Sequence, residues 1–193
     1  MGNESEVTER TPTSRADEPD AALLEGLRRR DPGAFRWLLD RWGGPLYTYL
    51  ARRTGDRAAA EDLVSEVLVR VLSHIERYRS RGRFAAWLFT IAYRLCLDHL
   101  ERRRPDAGEA VVEPASAEPG PEREAFSAVA REKLERALAD LPERQREVFF
   151  LREYGGLSFA EIADALDCPL STALARMRYA VLKLRKDLEG FDA

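Results

Sequence analysis

The chain has 193 residues, of which 45% are hydrophobic and 34% are charged. It is long enough for one ordinary domain or two small ones, and its composition excludes collagen-like, low-complexity and wholly disordered chains. No apolar run approaches the roughly 18 residues of a membrane-spanning helix, and the acidic N-terminus lacks the apolar segment of a secretory signal. Cys96 and Cys168 are too far apart in sequence for a CxxC site. We therefore expect a cytoplasmic protein without membrane insertion.

The net charge of -3 conceals a segregated pattern of charge. Residues 1–25 and 105–125 each carry a net charge of -5, whereas residues 77–104 carry +6 and residues 172–186 carry +5. Arginine supplies most of the positive charge, and its planar guanidinium suits bidentate contacts with phosphate. Two basic blocks of this kind are typical of nucleic-acid-binding surfaces.

The first part of the chain predicts a disordered tail and then a helical domain. Residues 1–19 carry polar and acidic residues without periodicity, whereas residues 20–104 show apolar residues at spacings of three and four. Asp31-Pro32 has the form of an N-cap followed by the first residue of a helix. Gly43-Gly44-Pro45 should kink or divide that helix. A long helix is expected from Phe84 to about Arg103.

The second part predicts a linker and a smaller helical domain. Residues 105–123 contain four prolines and several acids, which indicates a flexible linker. Residues 124–190 again have helical periodicity, and Ser158-Phe159-Ala160-Glu161 has the form of a capping box. No strand-type alternation is found. The predicted fold class is all-α, with two small helical domains joined by a flexible acidic linker.

The segment Leu157–Lys186 predicts a helix-turn-helix, with a short capped helix, a tight turn and a longer basic helix. Ala173, Met177, Val181 and Leu184 recur at spacings that place them on the buried face. The opposite face could enter the major groove while arginines contact phosphates. The alternative without DNA binding is a helical hairpin with a solvated basic face. The candidate duplex contacts are Ser171, Thr172, Leu174, Ala175, Arg176, Arg178, Tyr179 and Lys183.

The block after residue 76 combines alternating arginines with aromatic residues. Rings that stack on bases and guanidiniums that hold phosphates suit a single nucleic-acid strand. The alternative is a surface loop that leads into a core helix, and for Trp87 alone core packing is the better interpretation. The candidate strand contacts are Arg77, Tyr78, Arg79, Arg81, Arg83, Phe84, Trp87 and Arg94.

The helix predicted at 60–72 is apolar on more than one stripe. Val64, Val67, Leu68 and Val71 face one way, and Leu63 and Val69 lie off that stripe. Such a helix is either fully buried or carries a partner surface. Periodicity alone favours burial.

Signals of catalysis are missing from the sequence. His74 and His99 have no histidine or cysteine at metal-ligand spacing, and the phosphate-binding loop, HExxH and GxSxG motifs are absent. We expect no enzyme activity, no cofactor and no metal.

The order and spacing of several short motifs resemble the extracytoplasmic-function (ECF) group of bacterial sigma factors. The resemblance covers about residues 20–190. The residues that carry it are Asp31, Ala34-Phe35, Thr54-Gly55-Asp56, Ala60-Glu61-Asp62-Leu63, Phe84-Ala85-Ala86-Trp87-Leu88, Asp98-His99-Leu100, Leu141-Pro142-Glu143-Arg144-Gln145-Arg146-Glu147-Val148, Leu157-Ser158-Phe159-Ala160-Glu161-Ile162-Ala163 and Cys168-Pro169.

The resemblance implies a transcription initiation factor whose partners are core RNA polymerase, promoter DNA and an anti-sigma protein. It implies that the basic loop captures a flipped base of the minus-ten promoter motif and that the helix-turn-helix reads the minus-thirty-five motif. It favours a partner surface at 60–72, with polymerase contacts at Glu61, Asp62, Leu63, Ser65, Glu66, Leu68 and Val69. Departures from the family pattern are Ser65, Leu68, Asp167, Leu174 and Ala175; Asp167 replaces a usual turn glycine, and aspartate tolerates the left-handed conformation.

Two other functions use some of the same features. An operator-binding regulator would need the helix-turn-helix, but neither the arginine-rich loop nor the partner surface, and it would normally be a symmetric dimer on a palindrome. A sigma-like decoy would sequester an anti-sigma protein without binding DNA, which the intact basic residues of both blocks disfavour.

Overall fold

The computed structural model describes residues 19, 21–79, 83–103 and 132–189, and within these ranges the chain forms helices and no strand. The all-α prediction is confirmed. Most of the predicted tail and the whole predicted linker lie outside the described residues. The helices are α1 (Ala21–Arg28), α2 (Pro32–Thr54), α3 (Arg57–His74), a short 3-10 turn (Ile75–Arg77), α4 (Phe84–Arg103), α5 (132–139), α6 (Glu143–Glu153), α7 (Phe159–Ala165) and α8 (Leu170–Leu188).

The boundaries between α2 and α3 follow from capping interactions. The Asp31 carboxylate accepts a hydrogen bond from the backbone N–H of Ala34 at 2.9 Å, and Pro32 occupies the first turn of α2. Gly55 ends α2 in the left-handed conformation, with φ of 68°. The Asp56 carboxylate then caps α3 by accepting from the N–H of Ala59 at 3.1 Å. Both ends of α2 and the start of α3 are thus set by local chemistry.

Helix α2 continues without division through Gly43-Gly44-Pro45, so of the expected kink or division, the division is wrong. A proline inside a helix costs about 3 kcal/mol because it removes one backbone hydrogen bond and crowds the preceding turn. Trp42 and Leu46, on either side of Pro45, are both buried. Burial of two large apolar side chains offsets that cost, since each contributes roughly 1.5–3 kcal/mol.

An aromatic cluster between α2 and α4 forms the centre of the core. The Trp42 ring lies 6.2 Å from the Phe89 ring, and the Tyr49 ring lies 5.6 Å from the other side of Phe89, both edge to face. Phe84 also contacts this cluster, with its ring centroid 6.5 Å from that of Trp42. Sequence periodicity missed Phe89, although it is fully buried.

Helix α3 buries one broad stripe against α2 and α4. Leu63, Val67, Leu68 and Val71 are buried, whereas Val69 is 61% exposed. Leu63 therefore belongs to the core face, and the expectation that it lies off this stripe is wrong. Val69 is the large apolar side chain of α3 that remains exposed at the surface.

The predicted helix-turn-helix is present as α7, a four-residue turn and α8. The Ser158 hydroxyl accepts from the N–H of Glu161, and the Glu161 carboxylate accepts from the N–H of Ser158 at 2.9 Å, which is a complete capping box. After α7, the N–H of Cys168 bonds to the carbonyl of Ala163 and Asp167 has a φ of 47°. This is a Schellman ending with aspartate in the position where glycine is most common.

The buried face of α8 differs by one residue from the predicted face. Ala173, Ala180 and Leu184 are buried and Met177 is half-buried, whereas Val181 is 40% exposed. The expectation that Val181 is buried is wrong because the contact with α6 and α7 follows a spacing of four, three and four. The small side chain of Ala180 takes the place predicted for Val181.

We predict that Asp167→Gly stabilises the chain by about 0.5–1 kcal/mol, because glycine adopts a positive φ without the steric cost that a side chain meets. Asp167→Val should destabilise it by about 1–2 kcal/mol, since a β-branched side chain resists this conformation. Urea denaturation followed by circular dichroism measures both. Equal stability of the two variants would contradict the assigned strain.

Candidate nucleic-acid interface

The outward face of α8 carries the predicted duplex contacts. Leu174 is 45% exposed, and Tyr179 and Arg178 are also exposed. Arg176 lies half-buried beside them. Because positions 174, 175, 178 and 179 lie on one side of a helix and the core residues on the other, the face is available to a groove.

The remaining predicted residues of this face lie at its two ends. Ser171 and Ala175 are exposed near the start of α8, and Thr172 is half-buried there. Lys183 is half-buried further along the helix, and its ammonium donates to the Asp187 carboxylate at 2.9 Å. The positive charge of Lys183 is thus partly balanced within α8, which leaves Arg176 and Arg178 as the stronger anion-binding groups at the centre of the face.

A second basic surface surrounds the start of α4. Arg77, Arg79, Arg83 and Arg94 are all exposed, and Arg81 lies outside the described residues. Arg79 donates to the carbonyl of Glu76 at 2.9 Å, which fixes its stem beside the short 3-10 turn. Arg77, Arg79 and Arg83 therefore flank the point where the chain enters α4, and Arg94 lies further along that helix.

The aromatic residues of this surface are mostly buried. Phe84 is fully buried and Tyr78 is 7% exposed, so neither of these two predicted contacts is open to DNA in this conformation. The cause is the core: the Phe84 ring meets Tyr78 edge to face at 5.5 Å, and Phe84 also packs on Trp42. Trp87 is half-buried and stacks on Tyr78 at 4.7 Å. Trp87 is the described aromatic side chain of this group with accessible surface for a base.

The outer face of α3 is acidic with one apolar centre. Glu61, Asp62, Ser65, Glu66 and Val69 are exposed. Leu63 and Leu68, which the sequence also placed in the partner surface, are buried, so a partner on this face would not touch them directly. Their side chains pack in the hydrophobic core on the inner face of α3.

A buried ionic cluster joins the two helical groups, and sequence reasoning missed it. Glu147 on α6 accepts a hydrogen bond from the Tyr49 hydroxyl at 2.6 Å and pairs with the Arg53 guanidinium at 2.6 Å. Both Glu147 and Arg53 are buried. The sequence does contain a signal for this burial. Phe150 and Leu151 lie three and four residues after Glu147, so Glu147 falls on the apolar face of its helix.

Burial and pairing act in opposite directions on these groups. Burial raises the pKa of Glu147, and the Arg53 guanidinium and the Tyr49 hydroxyl oppose that rise. Burial raises the pKa of Tyr49 well above its usual range, and the Glu147 charge adds to that rise. Burial would lower the pKa of Arg53, yet attraction to Glu147 leaves it raised. Each charge depends on its partner, because an isolated buried charge is costly.

Further ion pairs connect the same groups of helices. Arg52 pairs with Glu135 on α5 at 2.6 Å. Arg83, at the entry to α4, donates to Asp164 of α7 at 2.8 Å and lies 3.5 Å from Glu161. The basic surface at α4 and the first helix of the helix-turn-helix are therefore in direct contact.

The described residues hold no group of three or more histidine, cysteine or acidic side chains that could bind a metal ion. None of the described helices is long and apolar enough to cross a membrane. His74 is exposed, and its ring nitrogen contacts the carbonyl of Arg70 at 2.8 Å, which is a local helix contact.

Both groups of helices match known sequence families. Residues 38–105 match the model of sigma-70 region 2, and residues 131–184 match that of sigma-70 region 4. The helix-turn-helix and the α4 surface thus fall in the two matched regions. The class of protein is therefore a sigma factor, which directs RNA polymerase to promoters.

Individual relatives identify a narrower group within the sigma factors. It is 35% identical to the ECF RNA polymerase sigma factor SigL of Mycobacterium tuberculosis, over 87% of this chain and 96% of SigL. It is also 35% identical to the ECF sigma factor BldN of Streptomyces coelicolor, over 78% of this chain, and spans 60% of the length of BldN. The chain belongs to the ECF sigma factors.

A solved structure shares the fold. The sigma factor RpoE of Bartonella quintana, crystallised with the anti-sigma factor NepR, superposes with a TM-score of 0.68 at 22% identity, covering 82% of this chain and 98% of RpoE.

We predict that Phe84→Ala lowers the free energy of unfolding by about 3–5 kcal/mol, because it empties a fully enclosed aromatic site. Trp87→Ala should cost less, roughly 1–3 kcal/mol, since part of that side chain stays in contact with water in the folded chain. Urea denaturation of the two variants tests the assignment of Phe84 to the core and of Trp87 to the surface. A larger loss for Trp87→Ala would reverse it.

Proposed function

We propose that the chain binds core RNA polymerase through the outer face of α3 and reads a promoter at two separate places. One observation supports this proposal most directly. The same chain carries an outward face on α8 and a second, arginine-rich surface at the start of α4. A regulator that binds one operator needs only the first surface. A decoy that binds no DNA needs neither.

In this proposal α8 reads the minus-thirty-five element as duplex. Arg176 and Arg178 hold phosphates, while Leu174 and Ala175 face base edges. Apolar side chains can contact the methyl group of thymine but cannot hydrogen-bond a purine edge. The element read by this chain should therefore depend on thymine at the positions facing Leu174 and Ala175.

The α4 surface captures the opened minus-ten strand. Arg77, Arg79, Arg83 and Arg94 supply exposed positive charge, and the accessible part of Trp87 offers a ring for stacking. Tyr78 and Phe84 position that ring from beneath. Opening is driven by binding of extruded bases, without nucleotide hydrolysis by this chain, so we propose that it is not an enzyme.

The polymerase contact centres on Val69, with Glu61, Asp62, Ser65 and Glu66 around it. An exposed apolar side chain with polar and charged neighbours has the apolar centre and polar rim of a protein interface. The proposed partners, core polymerase and promoter DNA, place the chain in the cytoplasm. An anti-sigma protein is a third proposed partner, supported by the complex in which the related RpoE was solved.

We predict that the double variant Arg176→Ala and Arg178→Ala weakens binding to mixed-sequence duplex DNA and reduces the slope of log affinity against log salt by about two. The reason is the loss of two phosphate contacts. Fluorescence anisotropy over a salt series measures it. The matched control is Arg29→Ala with Arg36→Ala, two exposed arginines, one directly after α1 and one in α2, which should leave the slope unchanged. An unchanged slope in the α8 variant would refute the phosphate role.

Run-off transcription tests the function as a whole. Core RNA polymerase with this chain, on sheared DNA of its own organism, should give new transcripts that start at defined sites. Val69→Glu should reduce their yield about tenfold or more by placing a charge in the anchor of the interface. Leu39→Glu, at an apolar residue of α2 with 43% exposure, is the control and should retain activity. Wild-type protein that yields no transcript and does not co-migrate with polymerase would contradict the proposal.

A further inference from the structure

Arg28, the last residue of α1, contacts the segment that leads into the α4 surface. Its guanidinium donates to the backbone carbonyl of Tyr78 at 3.4 Å and lies 3.6 Å from the carboxylate of Glu25. The Arg28 side chain is 31% exposed, so both contacts are partly shielded from water. Tyr78 lies 50 residues further along the chain, and no sequence pattern connects it with Arg28. The two DNA-reading surfaces described above do not include this arginine.

Helix α1 gives this contact a rigid support. Leu27 is buried in the core, and a Cβ added at Gly26 would lie only 2.8 Å from the Cβ of Ala34, so α1 and α2 approach closely. After α1, Arg30 adopts the left-handed conformation with φ of 57°, and the N–H of Asp31 bonds to the carbonyl of Gly26 at 2.9 Å. This is a Schellman ending, which joins the two helices through one tight turn. The end of α1 therefore has a fixed position relative to α2.

Tyr78 connects the end of α1 with the ring that is proposed to stack on a base. Its backbone N–H donates to the carbonyl of Ile75 at 3.1 Å, and its side chain is buried. The Tyr78 ring stacks on Trp87, with 4.7 Å between the centroids and 30° between the planes. A shift of the Tyr78 backbone would therefore move the surface on which the Trp87 ring rests. Contacts lead in this way from Arg28 through Tyr78 to Trp87.

The orientation of Trp87 matters because stacking on a base favours a ring that is already in place. A side chain that becomes ordered only when its ligand arrives loses rotamer freedom on binding, and this loss reduces the affinity. Trp87 is half-buried, so part of its ring rests on Tyr78 while the remainder meets solvent. A ring supported in this way has less freedom to lose. An interaction that holds Tyr78 in place thus favours stacking at Trp87.

We propose that Arg28 is a positioning residue for capture of the opened minus-ten strand. By holding the backbone at Tyr78, it keeps the Trp87 ring in the orientation that stacks on an extruded base. Arg28 itself does not contact the DNA, because its guanidinium is directed at a carbonyl and its charge is balanced by Glu25. This inference rests on the proposed function of the α4 surface, and it names a residue of α1 on which that function depends.

The first step of the test locates the base that the α4 surface holds. Start sites from run-off transcription give a promoter, from which a fork-junction DNA with a single-stranded minus-ten segment is made. Holoenzyme that contains the wild-type chain is then bound to forks with an abasic site at each position of that segment in turn. The position at which the abasic site weakens binding most is that of the extruded base.

The second step asks whether Arg28 acts on that base. Arg28→Ala should weaken binding of the intact fork about fivefold, because the ring is correctly placed in only a fraction of the molecules and the apparent affinity falls with that fraction. On the fork that is abasic at the located position, Arg28→Ala and wild type should bind equally, since no base remains for the ring to hold. A merely structural role would weaken binding to both forks by the same factor.

Two variants at the end of α1 serve as controls. Arg29→Ala removes the same charge at the next position, where an exposed guanidinium donates to Glu25 at 2.9 Å, and should bind both forks as wild type does. Arg28→Lys keeps a cationic donor that can reach the Tyr78 carbonyl, and should recover more than half of the lost affinity for the intact fork. Circular dichroism and co-migration with core polymerase should match wild type in every variant.

The salt dependence separates positioning from direct contact with DNA. Arg28→Ala should leave the slope of log affinity against log salt unchanged, whereas loss of a phosphate contact lowers it by about one. A lower slope, wild-type binding of the intact fork, or equal weakening on both forks would overturn the inference and leave the proposed function standing. A wild-type chain that is indifferent to every abasic site would refute the proposed strand capture, and the role of Arg28 with it.

Discussion

The buried contact of Glu147 with Tyr49 and Arg53 is the interaction on which the arrangement of this molecule depends. It places one carboxylate of α6 against the C-terminal half of α2, with both charged groups out of water. Removing one partner of such a pair typically costs about 3–5 kcal/mol, because the other charge stays buried without compensation. The pair therefore fixes how the two groups of helices meet more than it adds to the stability of either.

The rest of the interface follows from that placement. With α6 held against α2, Arg52 reaches Glu135 and Arg83 reaches α7. The contacts are ionic at the edges and aromatic at the centre, where Phe89 belongs to the core of α2 and α4. This geometry fixes the position of the proposed DNA-reading face of α8 relative to the basic surface at the start of α4.

Much of the fold could be predicted because it depends on local chemistry. A few adjacent residues determine each of the helix ends: the caps at Asp31 and Asp56, the capping box at Ser158 and the turn at Asp167. Side-chain contacts between distant segments could not be predicted in this way. The neighbours of Phe84 in sequence predict that its ring stacks on a base, yet Trp42, far away in the chain, packs against it in the core. A glutamate is expected at the surface, and Glu147 is buried here because the fold places Arg53 beside it.

The most direct test of the account measures the distance between the two groups of helices in the chain with and without the Glu147 carboxylate. Spin labels at exposed Ser73 and Lys186, each replaced by cysteine in a Cys168→Ser chain, report it by electron–electron resonance. The account predicts one short distance in the chain with Glu147 and a broad range of longer distances in Glu147→Lys, whose added cation faces Arg53. The same short distance in both chains would contradict it.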